Sequence, residues 1–381
     1  MAALAAPGDK QRILHVVLDL EAGGLERLVA DLLRRLDRGR FELHLLALRH
    51  LGRHAEGLES VCRVHTGPSM SRFSLLWPRA LTRALRRIQP DVVHTHSGVW
   101  YKVAVAARAA GVPWIVHTDH GRQDPDPLRD RVLDGLASRK SDAVVAVSGP
   151  LADRLRSSVV RFPERVLTIL NGIDTGLFAP GPKSPDRLAA LGVPAGRLVV
   201  GSLGRFDRIK GYDVVLRAFS GLALSWRNGE PPWLVLAGEG PEEAELRGLA
   251  ARLHIGHLVS FPGWQSDVPD VLRALDIFVL GSRSEGTSIG LLEAMSCGIC
   301  PVVTRVGGNA DVLGPELEHR LAPSEDPVAL AARLRDALVD ASRRNRDGMT
   351  ARARVTTNFS VDRMVEQYAA LYDRFRTHRP A

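Results

Sequence analysis

The chain has 381 residues, with 45% apolar and 25% charged side chains and a formal net charge of +8. That length fits two or three domains, and the mix is that of a soluble globular protein, so disorder and a long coiled coil are excluded. No run approaches the roughly 18 apolar residues that a membrane-spanning helix needs.

Residues 1–180 hold 26 Lys and Arg against 19 Asp and Glu, whereas residues 181–381 hold 25 against 24. Nearly all the excess positive charge therefore lies in the first half. Nucleic acid, an anionic membrane surface or an acidic substrate would each match such a field. Met1–Lys10 lacks a basic segment followed by a long apolar core, so no signal peptide is expected and the expected location is cytoplasmic. The three cysteines, Cys62, Cys297 and Cys300, cannot build a disulfide framework and point to a reducing compartment. Cys297-Gly-Ile-Cys300 has no second ligand pair, so it reads as structural.

Short β-rich runs alternate with amphipathic helical stretches. Strands are expected at Ile13–Asp19, Glu42–Leu48, Val92–His94, Trp114–His117, Ala143–Val147 and Val166–Ile169. Helices are expected at Leu25–Leu36, Leu75–Ile88 and Leu128–Ala137. Ala179–Pro185, rich in Pro and Gly, reads as an interdomain linker. The alternation then restarts, with strands at Leu198–Leu203, Leu234–Ala237, Val259–Phe261, Ile277–Leu280 and Pro301–Thr304. Helices intervene at Tyr212–Leu222, Glu242–Leu253, Val268–Leu275, Ser288–Ser296 and Pro327–Arg343, and Ser360–Phe375 forms a last amphipathic helix. Continuously apolar strands between helices imply two doubly wound α/β domains, with ligands at the carboxyl ends of the strands.

Three loops carry chemistry. The first, Asp19–Glu26, contains Gly23-Gly24 between strand and helix, where backbone can approach a ligand and helix N–H groups can face an anion. A plain tight turn explains the glycines equally well, and no GxGxxG fingerprint is present. The second, Gly201–Gly211, contains Arg205 and Lys210. These could clamp a diphosphate or simply be two solvated cations. The third, Gly281–Gly298, carries Glu285 in a Gly/Ser loop and Glu293 about two turns into the following helix. Glu293 falls among Leu291, Leu292, Ala294 and Met295, where an idle carboxylate would be costly. Two acceptors flanking free helix N–H groups suit a polyhydroxylated phosphate ligand.

The spacing Glu285, seven residues, Glu293 within SEGTSIGLLEAMSCG resembles the E-x7-E motif of glycosyltransferase family 4. GGLERLV, AVSGPLADRL, ILNGID, GRFDRIKG and PVVTRVGGNADVL are similar to that family's other landmarks, in its order, over about residues 13–375. The resemblance implies the GT-B fold, in which two Rossmann-like domains face each other across a cleft and the C-terminal helix crosses back. It sets the domains at 1–180 (acceptor side) and 186–355 (donor-binding), with 356–381 as the returning helix. By position, Arg205 and Lys210 would bind the donor diphosphate and Glu293 the ribose. Glu285 would sit by the donor sugar, within reach of the N–H groups of Gly286, Thr287 and Ser288. Gly23 and Gly24 would lie near donor phosphate and acceptor. Phe261, Gly263 and Trp264 would contact the base, and His117 would match the histidine that faces the donor sugar.

The implied activity is a retaining, metal-independent hexosyl transfer from a nucleoside-diphosphate sugar to a glycan, lipid-linked or small-molecule acceptor, in cell-surface polysaccharide or glycoconjugate synthesis. A nucleotide-sugar epimerase of the same fold and a non-catalytic nucleotide-sugar binder are the alternatives. No cofactor is expected beyond the nucleotide-sugar co-substrate. His94, His96, His117 and His120 end two strands; as neighbours, four imidazoles would converge on a possible metal site. Packing for His94, with His117 or His120 facing the cleft, is the preferred reading. Asp124-Pro125-Asp126 spells DxD but lies in a Pro-rich loop and reads as a turn. Arg72–Arg87 mixes arginine with apolar residues. It reads either as an ordinary surface helix or as a basic element resting on an anionic membrane. No recognition motif supports nucleic acid.

Overall fold

The computed structural model describes residues 10–21, 23–67, 78–121 and 127–377. Asp124-Pro125-Asp126 and the Arg72–Trp77 part of the basic segment lie outside the described residues. The chain forms two compact units, one of residues 1–171 with 361–381 and one of residues 172–360. None of the described helices is long and apolar enough to cross a membrane.

The first unit contains β1 (Gln11–Val17), α1 (Gly24–Arg35), β2 (Phe41–Ala47), β3 (Arg63–Thr66), α2 (Arg79–Ile88), β4 (Val92–His96) and α3 (Trp100–Ala110). It continues with β5 (Trp114–Asp119), α4 (Leu128–Ser138), β6 (Ala143–Ala146), α5 (Gly149–Ser158) and β7 (Val166–Thr168). All strands pair in parallel in the order β3-β2-β1-β4-β5-β6-β7. Leu14, Val16, Val93, Ile115 and Val144 face one apolar core with α3 residues Trp100, Val103 and Ala107. The alternate residues His15, His94, His96 and Thr118 therefore face the other side of the sheet.

The second unit contains α6 (Pro185–Ala190), β8 (Val199–Leu203), α7 (Tyr212–Leu224), β9 (Trp233–Ala237), α8 (Glu243–Arg252) and β10 (Val259–Ser260). Next come α9 (Val268–Arg273), β11 (Ile277–Leu280), α10 (Ile289–Ser296), β12 (Cys300–Thr304), α11 (Asn309–Leu313), β13 (Leu321–Ala322), α12 (Pro327–Val339) and α13 (Ala341–Asn358). Its parallel sheet has the order β10-β9-β8-β11-β12-β13. The last helix, α14 (Val361–Thr377), belongs to the first unit. Tyr368 and Tyr372 of α14 are buried over the polar face of the first sheet.

The unit boundary falls earlier than the Pro/Gly-rich segment at Ala179–Pro185. Phe178 is buried in the second unit, and its carbonyl accepts from Ser296 Oγ at 2.6 Å. Arg273 Nε donates to the Ala179 carbonyl at 2.9 Å. The proline-rich backbone is irregular yet fastened, because composition reports local conformation and not where contacts thin out. The single helix expected over Pro327–Arg343 is two. Asp340 ends α12 and caps α13, its carboxylate accepting from Arg343 N at 2.9 Å. Beneath them the fully buried Arg320 donates to Asp347 at 2.6 Å and to Asp336 at 3.0 Å. Asp326 caps α12 by accepting from Ala329 N at 2.9 Å. Asp326→Ala is expected to destabilise the protein by about 1 kcal/mol, read as the free energy of urea unfolding.

Candidate active site

In an open parallel sheet, ligands bind at the carboxyl edge where the strand order reverses, because neighbouring loops there leave in opposite directions. In the second unit that point lies between β8 and β11, and in the first between β1 and β4. The loops singled out from sequence leave these same strands.

After β8 the chain runs through Gly204–Asp207 and a short 3-10 turn at Arg208–Lys210. Gly211 then enters α7 with φ +61°, and a Cβ there would overlap the Gly281 carbonyl from the loop after β11. Only glycine permits that approach. The two loops are also tied by Arg283, whose amide donates to the Ile209 carbonyl at 2.8 Å. Its guanidinium donates to both oxygens of Asp213, each at 2.8 Å. Burial alone would raise the Asp213 pKa, but the Arg283 guanidinium outweighs it and holds the carboxyl below its ordinary value. A carboxylate with a depressed folded pKa adds stability above its unfolded value, near about 3.9, and loses it as pH falls through the folded value. Asp213→Asn is therefore expected to flatten the acid limb of a Tm-against-pH curve.

This bracing brings together two of the predicted residues. Lys210 Nζ donates to Glu285 Oε1 at 2.8 Å and Oε2 at 3.1 Å, and Ser282 Oγ donates to Oε1 at 2.7 Å. The Glu285 side chain is 7% exposed and that of Lys210 is 30% exposed. The lysine thus presents its remaining donor capacity outward while the carboxylate is held. Arg205 is exposed and makes no ion pair among the described residues. Gly286, Thr287 and Ser288 lead into α10 and are buried. Ser288 caps that helix, accepting from Leu291 N at 3.3 Å. Glu293, on the same helix, is 8% exposed. The loop is pinned from behind. Gly308 N donates to the Gly286 carbonyl at 3.0 Å, and Gly307, at φ +49°, lies directly on the Glu285 carbonyl.

The segment predicted to meet a base follows β10. Gly263 has φ +75°, and its carbonyl accepts from Gly238 N at 2.9 Å. Phe261 is half-buried beneath the Arg247 guanidinium, 4.7 Å from its ring centre, and Trp264 is 44% exposed. In the first unit Gly23 and Gly24 start α1, whose first turn has no side-chain cap. The Glu26 side chain of that first turn lies against Gly23.

The histidine assignment changes. His117 is 2% exposed and stacks on Trp100 at 3.9 Å, with Nδ1 2.9 Å from Thr95 Oγ1. It packs under α3 and does not project from the strand end. His120, one residue beyond β5 and half-buried, holds the edge position. Both faces of this sheet are covered, so alternation could not say which histidine points where. The imidazoles that converge are His15, His94, His96 and His120. His15 was missed because it reads as one more strand residue; its register with His94 appears only when β1 and β4 pair. Ligand nitrogens of His15, His94 and His96 lie within 4.8 Å of one another. Burial lowers the pKa of His15 and of His120 to about 3. It carries His94 and His96 well below the ordinary value, with neighbouring imidazoles adding to the shift. The cysteines are buried and unpaired; burial raises Cys297 and Cys300 to about 12, so neither is poised for thiolate chemistry.

Comparison with known proteins matches this site to a family. Residues 184–354 match the Glycosyl transferases group 1 family and residues 22–177 match Glycosyltransferase Family 4. The chain is 30% identical over 336 residues to the putative glycosyltransferase EpsF of Bacillus subtilis (strain 168), covering 85% of this chain and 86% of that one. It is 25% identical to an Escherichia coli UDP-Gal:alpha-D-GlcNAc-diphosphoundecaprenol alpha-1,3-galactosyltransferase, covering 95% and 97%. The fold is also that of Anabaena HepE in complex with UDP and glucose, with TM-score 0.81, 22% identity, and 95% and 99% covered. With a family matched in each half of the chain and a relative 30% identical over 85% of it, the chain belongs to the GT-B glycosyltransferases of family 4.

Proposed function

We propose that the protein is a retaining hexosyltransferase that takes its sugar from a nucleoside-diphosphate donor without a metal ion. The observation that carries this reading is the Lys210–Glu285–Ser282 cluster at the β8/β11 reversal, beside the buried start of α10. Lys210, with Arg205, meets the diphosphate and stabilises the charge that grows on it as the glycosidic bond breaks. Glu293 accepts from ribose hydroxyls, and Glu285 from the sugar. The backbone at Phe261–Trp264 receives the base. In the first unit, His120 takes the place expected of His117, and Gly23-Gly24 offers helix N–H groups to phosphate or acceptor. The Asp19–Leu25 loop supplies no histidine base. This favours front-face transfer, in which the acceptor proton passes to the leaving β-phosphate. The acceptor is a glycan, lipid-linked or small molecule of cell-surface polysaccharide or glycoconjugate synthesis. The basic first half is suited to peripheral contact with an anionic membrane on the cytoplasmic side.

The test is a panel of UDP-, GDP- and ADP-sugars scored by thermal stabilisation, with donor turnover then followed with and without acceptor. One base class should raise Tm, and sugar should leave the donor with its anomeric configuration kept. Epimerised donor in the absence of acceptor would replace this reading with an isomerase, and binding without turnover would replace it with a sensor.

A further inference from the structure

The polar face of the first sheet carries an unbroken line of side-chain hydrogen bonds. Tyr368 OH lies 3.0 Å from Thr118 Oγ1, which lies 2.7 Å from His94 Nε2. His94 Nδ1 is 2.6 Å from Tyr372 OH, which is 3.4 Å from His15 Nε2. His15 Nδ1 is 3.1 Å from His96 Nε2, and His96 Nδ1 is 3.1 Å from His120 Nε2. Every member except His120 is buried. The line begins on α14 and ends at the carboxyl edge of the sheet.

Proton counting gives this line a direction. A neutral imidazole has one donor and one acceptor nitrogen, and burial keeps all four neutral. Tyr368 has Thr118 as its hydrogen-bond partner among the described residues, so its buried hydroxyl proton goes to Thr118 Oγ1. Thr118 then donates to His94 Nε2, and His94 Nδ1–H to Tyr372. Tyr372 donates to His15 Nε2, His15 Nδ1–H to His96, and His96 Nδ1–H to His120 Nε2. The reverse order strands one hydroxyl proton between Tyr368 and Thr118 without an acceptor, a desolvation penalty that the forward order avoids.

We propose that this proton-ordered chain fixes His120 as its Nδ1–H tautomer, so that the first unit offers substrate a hydrogen-bond donor at the strand edge and no general base. Tyr368, Thr118, His94, Tyr372, His15 and His96 are positioning residues, and seating of α14 sets the polarity. The role at substrate rests on the proposed transferase reading; the tautomer does not. A donor-only His120 suits retention, where the leaving phosphate takes the acceptor proton.

The test is long-range proton–nitrogen NMR of the histidine-labelled full chain without substrate. The expected result is a protonated Nδ1 and an unprotonated Nε2 on His120, in one sharp species. In Tyr372→Phe the link between His94 and His15 is cut, and His120 should become a mixture of tautomers. Thr118→Val, which removes the hydroxyl that joins Tyr368 to His94 and so leaves neither direction favoured, serves the same purpose where Tyr372→Phe does not fold. An Nε2–H His120 in the wild type, or a foldable variant with an unchanged spectrum, overturns the assignment. So does added zinc that moves His15, His94 and His96 together, which would make the cluster a metal site. In turnover, Tyr372→Phe should lower kcat about tenfold with donor KM unchanged. The expected tautomer in a protein inactive with every donor would defeat the transferase reading and leave the chain standing.

Discussion

Lys210→Met is expected to lower kcat/KM for sugar transfer by roughly 10²–10³-fold, the loss typical of one preorganised group removed from a developing oxyanion. In the resting protein Lys210 places two hydrogen bonds on Glu285. Removing it has a second consequence, because the largely buried Glu285 carboxylate then keeps only Ser282 from this trio. The lysine is 30% exposed, so solvent replaces part of the lost interaction and the stability cost should be about 1–2 kcal/mol. The double variant Lys210→Met/Glu285→Gln separates the effects. Neutralising the stranded carboxylate should restore most of Tm while activity stays low. Nucleotide release measured at a fixed folded fraction is the check. A single variant retaining kcat/KM within fivefold would remove Lys210 from the diphosphate.

The pairing behind that prediction was only half legible. Glu285 and Glu293 announce themselves because their spacing lies within one loop and one helix, where sequence distance is spatial distance. Lys210 was visible as a loop cation, but sequence offered it a diphosphate and did not show the carboxylate it rests on. That contact depends on β8 and β11 becoming neighbours although 73 residues separate their ends, Leu203 and Ile277 excluded. Most strands stood out because a strand buried on both faces is a continuous apolar run. β3 and the two-residue β13 did not: one is short and polar, and the other too short to show a pattern. The Ala-rich α3 lacks a polar stripe, since Val103, Ala104, Ala106 and Ala107 are all buried. His120 over His117 was undecidable for the same kind of reason: with both sheet faces covered, neither side of the strand is marked by polarity.

Gly307→Ala should impair both folding and turnover although residue 307 touches no expected substrate atom. Gly307 has φ +49°, and an added Cβ would overlap the carbonyl oxygen of Glu285, with the carbonyl carbon just behind it. The left-handed conformation alone costs an L-residue about 1–2 kcal/mol. Relief of the overlap must come from backbone, because no flexible side chain stands in the way. The total should be about 2–4 kcal/mol in the free energy of unfolding. The segment that yields is the one carrying Glu285, and its neighbour Gly286 holds the Gly308 amide at 3.0 Å. A shift of about 1 Å at a positioned group costs on the order of 10²-fold in rate. Gly221→Ala is the control, since a Cβ there meets nothing within 4 Å and the position lies within α7. It should stabilise the protein by about 0.5–1 kcal/mol and leave turnover alone. If Gly307→Ala lost stability but kept wild-type kcat in the folded fraction, the Glu285 backbone would not be part of the machinery that this loop positions.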